Sequence, residues 1–199
     1  IRCGGVHKTV HARVTIAADG RGSRLGTALG LSSFAAQPKR WAFGAYYDGV
    51  GGMTTRGEMH VRRSGYIGVA SLPGSVANVC VVRDLAGLRS ARAGMGSARQ
   101  VDAYAAAVID DAVATDEQLG ERFVGARRIM PATVLGPLAV DARGAGVPGL
   151  LLAGDAAGFV DPMTGDGLRF AIRGAMLAAE HAIRELETDA PQHRALDAA

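Results

Sequence analysis

"GDAAGFVDPMTGDGL", Gly154 to Leu168, holds four glycines, three aspartates and one proline, and no lysine, arginine, histidine, cysteine or serine. It lies between the apolar run Leu150–Leu152 and a segment in which Leu168, Ile172, Ala175, Ala179, Ala182 and Leu186 recur at helical spacing. The four apolar residues Leu150 to Ala153, bounded by Gly149 and Gly154, predict a short strand buried on both faces. Strand, loop and helix in that order predict an α/β unit, which takes ligands at the C-terminal ends of its strands. The loop is longer than the handful of residues such a connection needs. Gly165 and Gly167 let backbone approach a ligand closely. A helix starting near Thr164–Gly167 presents its first N–H groups and the positive end of its dipole, which favour an anion or a polarised carbonyl. Asp155, just past the strand end, is placed to accept hydrogen bonds from sugar-type hydroxyls, and Pro162 fixes the local backbone. The residues alone admit a second reading, a structural loop in which Asp166 or Thr164 caps the helix.

The rest of the chain organises around this unit. Val10, Ala12, Val14 and Ile16 alternate with polar residues, which predicts a strand with one buried face running into the turn Ala17-Ala18-Asp19-Gly20. Four β-rich segments follow, Trp41 to Tyr47, Glu58 to Arg62, Tyr66 to Ala70 and Val76 to Val82, punctuated by glycine and proline; they predict an antiparallel meander with one face free for a ligand. Ser97 is the expected N-cap of a helix whose inner face is Val101, Ala105, Val108 and Ala112, with Asp102, Asp110 and Asp116 off that face. Val124 to Leu135 reads as a strand, and the polar last ten residues as a frayed end. Three regions result: 1–36 and 136–199 with the two glycine–aspartate motifs, and 37–135 with the β-sheet and one helix.

Composition narrows the function classes. With 199 residues, 48% hydrophobic and 21% charged, the chain reads as globular, and a net charge of +3 with dispersed arginines gives no footprint for nucleic acid. No run approaches the roughly 18 consecutive apolar residues of a membrane span, which leaves room only for a peripheral membrane contact. Cys3 and Cys80 read as free thiols of a reducing compartment, so a cytoplasmic location is expected. The five histidines are scattered without partners at ligand spacing, so no metal site is expected. "GAGVPG", Gly144 to Gly149, matches G-x-G-x-x-G in form, but Pro148 interrupts it and a strand follows where the dinucleotide fingerprint needs a helix; it reads as a turn. His60 and Arg62 share one face of a β-segment and read as a solvated pair.

Leu151 to about Glu180, with Gly154-Asp155-Ala156-Ala157, Pro162, Gly165, Gly167 and a small-residue helix, resembles the second FAD-binding motif of the flavoprotein hydroxylase and geranylgeranyl reductase superfamily. "VTIAADGRGSRLG", Val14 to Gly26, resembles the same superfamily's Asp-Gly motif. The resemblance implies a mixed α/β fold: a Rossmann-like FAD/NAD(P)-binding domain, incomplete in this chain, with an inserted antiparallel substrate-binding sheet. The superfamily's N-terminal βαβ unit has no counterpart in these residues, so the chain is expected to be the middle and C-terminal part of a longer flavoprotein. The implied cofactor is FAD, with NAD(P)H as electron donor. The implied contacts are Asp19, Gly20 and Ser23 from the first motif, and Gly154, Asp155, Ala156, Pro162, Gly165, Asp166, Gly167 and Leu168 from the second. Asp155 would bind the ribityl hydroxyls, and the helix start would face the N1 and O2 edge of the flavin.

After Gly154-Asp155-Ala156-Ala157 this chain reads Gly158-Phe159 where aromatic hydroxylases place His, which favours the reductase branch: reduction of an unsaturated, isoprenoid-like substrate by hydride transfer from reduced flavin. A flavin-dependent monooxygenase or a halogenase is the alternative within the superfamily, and a truncated non-catalytic flavoprotein the alternative outside it. The substrate implied is a small hydrophobic or aromatic molecule. Two departures stand out. Gly26 occupies the position where many hydroxylases carry an arginine, and "YIGVASLP", Tyr66 to Pro73, lacks the Trp and Phe of the reductases' substrate-sheet motif. Tyr46, Tyr47, His60 and Arg62 could face a substrate, but each reads first as structural or solvated, and no catalytic acid or base is assigned.

Overall fold

The computed structural model describes residues 2–36, 40–84 and 96–188; the side chain of Cys3 and the expected frayed end lie outside the described residues. In chain order the elements are β1 (Arg2–Cys3), β2 (Val6–His7), β3 (Thr15–Ala17), α1 (Arg24–Ala28), β4 (Ser32–Phe34), β5 (Arg40–Asp48), β6 (Glu58–Arg62), β7 (Gly65–Leu72), β8 (Val76–Asp84), α2 (Ala98–Ala114), β9 (Arg127–Arg128), β10 (Thr133–Leu135), β11 (Val140–Ala142), β12 (Gly146–Val147), β13 (Leu150–Leu152) and α3 (Gly167–Glu187). They form two compact units, residues 35–139 and the pair of segments 1–34 and 140–199.

The 35–139 unit is an antiparallel sheet ordered β10-β5-β8-β7-β6, with β9 also on β5. The four meander segments of the sequence are β5 to β8. Their odd-numbered residues Phe43, Ala45, Tyr47, Ile67, Val69, Val79 and Val81 are buried against Ala105, Ile109, Ala112 and Val113 of α2. Period-two and period-3.6 apolar stripes meet there, which is what buries this core. Ser97 caps α2 by accepting from the Gln100 N–H. The stretch Val124–Leu135 is not one strand: β9 and β10 are short, separated by Ile129 to Ala132, and pair with different parts of β5. Pro131 has no N–H to give a ladder, which breaks the strand there.

The acidic residues off the apolar face of α2 tie the unit together. Asp102 accepts from the Ala132 N–H at 2.7 Å and from Arg128 at 2.6 Å. Asp110 accepts from the Tyr47 hydroxyl at 2.9 Å. Asp116, 7% exposed, takes both Nε and Nη2 of Arg62, and the N–H groups of Gln118 and Leu119. His60 lies between Glu58 and Gln118, and Glu58 takes Arg122 in two bonds of 2.6 and 2.9 Å. His60 and Arg62 are therefore not a solvated pair. They strap the edge strand β6 to the segment that follows α2.

The other unit has a sheet ordered β12-β13-β3, in which β13 runs parallel to β3. The chain around Pro148 is the turn between β12 and β13, so Gly144–Gly149 is not a dinucleotide fingerprint. Ala17, Leu31, Leu150 and Leu152 form a small core. The expected strand from Val10 is shorter than its alternation suggests: only Thr15–Ala17 pairs, Ala17 is buried, and Val10 and Ile16 are exposed. The packing face of α3 also differs from the expected stripe. Ala178 and Ala182 are buried and Ala171 and Gly174 half-buried, while Leu168, Ile172, Ala175 and Ala179 are exposed. Small side chains set the face because the loop after β13 passes close over them: a Cβ on Gly154 would stand 3.7 Å from Ala171 Cβ.

Candidate functional site

Parallel pairing of β3 with β13 brings the two motifs to one edge. Leu152 pairs with Ala17, and the Ala153 N–H donates to the Ala17 carbonyl at 3.0 Å. Asp19 and Asp155 each follow within three residues of these paired ends, at the C-terminal edge where α/β sheets take ligands.

The first motif is a strand-to-helix turn held by its own polar atoms. The Ser23 N–H donates to the Gly20 carbonyl, Ser23 Oγ accepts from the Gly26 N–H at 3.0 Å, and Asp19 Oδ2 accepts from the Arg24 N–H at 3.1 Å. The Ser23 hydroxyl, and then the Arg24 N–H, hold the Asp19 carboxyl below its ordinary value. Ser23 is 1% exposed, so its hydroxyl acts as a helix cap inside the fold. Gly26 is buried, and a Cβ there would collide with the Ser32 hydroxyl. That is why the position expected to carry an arginine in many hydroxylases is bare.

The second motif leaves β13 through Gly154, which has φ +60°, into a single 3-10 turn over Gly154–Ala157. Ala156 is fully buried and serves packing. Gly158 sits at φ 127°, ψ 148°, a region that admits essentially only glycine. It turns Phe159 back to bridge Val140 of β11. Asp161 caps the next 3-10 turn, Pro162–Thr164, by accepting from the Met163 N–H at 3.0 Å. Asp166 stands at the N-cap position of α3 but makes no capping bond. Its carboxylate takes Arg169 at 2.7 Å, which, with Thr164, holds it below its ordinary value. Neither Asp166 nor Thr164 therefore covers the first turn of α3. Gly165 has open space where a Cβ would go, Gly167 only the edge of the Phe159 ring at 4.0 Å, and Leu168 is 78% exposed.

Asp155 is half-buried and its carboxylate takes no hydrogen bond among the described residues. Its electrostatic partner is Arg21 of the first motif, a residue the sequence reading passed over. Burial pushes the Arg21 guanidinium below its ordinary value and the Asp155 carboxylate pulls it back. The signal lay in the spacing, since Arg21 follows Asp19-Gly20 directly, but only the parallel pairing shows what it faces. The chemistry assembled is a half-buried carboxylate offset by one cation, next to an uncapped helix start approached by bare backbone.

No family model matches the chain. Forty-seven of its residues, 24% of the chain and 9% of the other protein, are 43% identical to conditioned medium factor receptor 1 of Dictyostelium discoideum. Two solved structures superpose over nearly all of it. The flavin-dependent halogenase CmlS does so with TM-score 0.77 and 20% identity over 94% of this chain and 33% of its own. The myxobacterial chondrochloren halogenase CndH, described as a variant of FAD-dependent halogenases, does so with TM-score 0.77 and 20% identity over 96% and 44%. The chain thus spans between a third and a half of the length of these proteins. At such identities the likeness is one of fold, and the fold is the mixed α/β fold of FAD-binding flavoproteins with its antiparallel sheet.

Proposed function

We propose that the chain belongs to an FAD-dependent oxidoreductase that acts on a small molecule, and that it supplies the ribityl- and flavin-facing part of the cofactor site. The observation that carries this is Asp155: a half-buried carboxylate without a hydrogen bond, at the edge where two parallel strands end. A half-buried carboxylate whose oxygens take no hydrogen bond among the described residues has acceptor sites to offer a ligand, and vicinal hydroxyls of a ribityl chain fit a carboxylate that can only accept. Arg21 offsets its charge. The open positions at Gly165 and Gly167 let the flavin edge approach backbone, and the first N–H groups of α3 donate to a carbonyl or anionic edge there. The flavin, when bound, supplies the redox chemistry. The chain's own residues bind it, orient it and set its electrostatics, with NAD(P)H as the electron source.

Within this class we favour oxygen-dependent chemistry of the halogenase or monooxygenase kind over reduction of an unsaturated substrate. Halogenases are among the fold neighbours, and the residue pair that pointed to the reductases, Gly158-Phe159, has a conformational cause in the backbone at Gly158.

The test is flavin binding by the gene product that carries these residues, followed by fluorescence quenching, for the wild type and Asp155→Ala. A lost charge-assisted hydrogen bond is worth about 1.5–3 kcal/mol, so the variant is expected to bind FAD roughly ten- to a hundredfold more weakly. Unchanged affinity removes Asp155 as a ribityl ligand, and a wild type that holds no flavin removes the reading as a whole. Oxygen consumed in proportion to substrate converted separates the two chemistries, since the reductase reading turns its substrate over without oxygen.

A further inference from the structure

Met163 is the one readily oxidised side chain in the stretch Gly154–Leu168, which holds no cysteine, histidine, tryptophan or tyrosine. The backbone on both sides of it is pinned. Asp161 Oδ1 accepts from the Met163 N–H at 3.0 Å, and the Gly165 N–H donates to the Pro162 carbonyl at 3.0 Å, which closes the 3-10 turn Pro162–Thr164. Packing does not account for the thioether. Met163 is 43% exposed and belongs to neither buried core of the described residues. Met53 is the contrast: it packs on the core of the 35–139 unit, and its sulfur accepts from Arg122 Nη2. A soft, polarisable sulfur is thus presented to solvent by a fixed turn. Its Cα lies within about 7 Å of the Cα of Gly165, two residues on.

We propose that Met163 is a site of sulfoxidation by peroxide formed at the bound flavin. The proposal rests on the flavin reading above, which puts the bare backbone of Gly165 against the flavin edge. Dioxygen that takes two electrons from reduced flavin becomes a peroxide at that edge. The Met163 thioether attacks its terminal oxygen. The S–O bond forms, the O–O bond breaks, and the proton of the attacked oxygen passes to the departing one, which leaves as a hydroxyl compound (water, where the peroxide is hydrogen peroxide). Sulfur is oxidised by two electrons and the peroxide reduced by two.

The product has a consequence for the site. Sulfoxidation replaces an apolar tip with a polar, chiral one that accepts hydrogen bonds. Met163 stands three residues before Asp166, the N-cap position of α3, where no side chain caps the first N–H groups. The sulfoxide oxygen is an acceptor for those donors and competes for them with the flavin edge. Peroxide not spent on substrate thereby loosens the flavin that made it.

The FAD-loaded gene product is photoreduced with EDTA under argon and reoxidised in air through repeated cycles, with catalase present to destroy peroxide that escapes. A second sample, oxidised throughout and free of catalase, receives hydrogen peroxide. Met163 and Met176 fall on separate tryptic peptides, 144–169 and 174–184, so mass spectrometry reads each sulfoxide by itself. Met176 is the internal control: it is 50% exposed and lies about 13 Å along α3 from Gly167. Cycling is expected to raise the ratio of Met163 to Met176 sulfoxide about fivefold or more above the ratio that added peroxide gives. The cycled protein is expected to bind FAD several-fold more weakly and to recover after treatment with methionine sulfoxide reductases. Met163→Leu, with a side chain of similar size, should keep its FAD through the same cycles. Equal ratios in the two samples overturn the proposal, as does full FAD affinity in protein oxidised at Met163. A wild type that holds no FAD refutes the flavin reading and, with it, the source of the peroxide; tightly held FAD with equal ratios refutes the role of Met163 alone.

Discussion

Replacing Glu58 by glutamine tests the strap that holds the edge strand β6. Glu58 Oε2 lies 2.6 Å from Arg122 Nη1 and 2.9 Å from His60 Nε2, and Oε1 lies 2.9 Å from Arg122 Nη2. The Arg122 guanidinium, and after it His60, hold the Glu58 carboxyl at about 2, against an ordinary 4.5. At about 1.4 kcal/mol for each pKa unit, that depression corresponds to at most about 3 kcal/mol of folding stability. The side chain is 21% exposed, so water screens part of it, and ~1–2 kcal/mol is the expected share. The sign is fixed by the direction. A carboxyl whose value falls on folding stabilises fully above about 4.5 and loses that contribution as pH drops towards about 2. Urea unfolding of wild type and Glu58→Gln, followed by circular dichroism, should show a gap of ~1–2 kcal/mol at pH 7 that closes between pH 4.5 and 2. A gap that stays constant across that window would show that the pair contributes shape and not charge, and would refute the reasoning.

Further outcomes follow from burial and backbone geometry. Leu119→Ala, at a side chain with no exposed surface, should cost ~2–5 kcal/mol in the same urea assay. Ser23→Ala removes the buried cap of α1 and should cost about 1 kcal/mol, while leaving the 35–139 sheet signal intact. Gly158→Ala forces a Cβ into a conformation L-residues avoid and should cost roughly 1–3 kcal/mol. Because that residue returns Phe159 to β11, the substitution should also weaken FAD retention, and a variant with full stability and full flavin would contradict the role of Gly158 in turning the backbone.

The meander was legible because each strand has one apolar face and glycine or proline at its ends, and both signals are local. α2 was legible through Ser97 and a stripe of small apolar residues. The reading failed where partners are distant in sequence. Val10 to Val14 alternate but pair with no strand among the described residues; Asp102, Asp110 and Asp116 were legible only as lying off the apolar face, and their partners on β9, β5 and β6 were not. α3 carries large apolar residues all round, Leu168, Phe170, Ile172, Met176 and Leu177 among them, so their spacing does not identify the packed side. The packed side is set by how closely the loop after β13 approaches, and only alanine and glycine permit that. In the candidate site, the glycines and Asp155 were legible from type and order, while Arg21 was not, because its partner lies across a parallel pairing that sequence spacing does not reveal.

That pairing has a consequence for how the molecule assembles. The Ala35 N–H donates to the Ala139 carbonyl at 3.1 Å, and β4 zips to β11 immediately outside it. Once residues 35–139 have folded, their ends are joined, and for the remainder of the chain that whole sheet is equivalent to a single tight turn. The loop that β3 and β13 must close then shrinks from residues 18–149 to the few outside the neck, more than two halvings, which saves roughly 1 kcal/mol of closure entropy. The two strand ends that carry the glycine–aspartate motifs can thus meet late at small entropic cost, and the inserted sheet is free to change size or sequence between them without shifting their register.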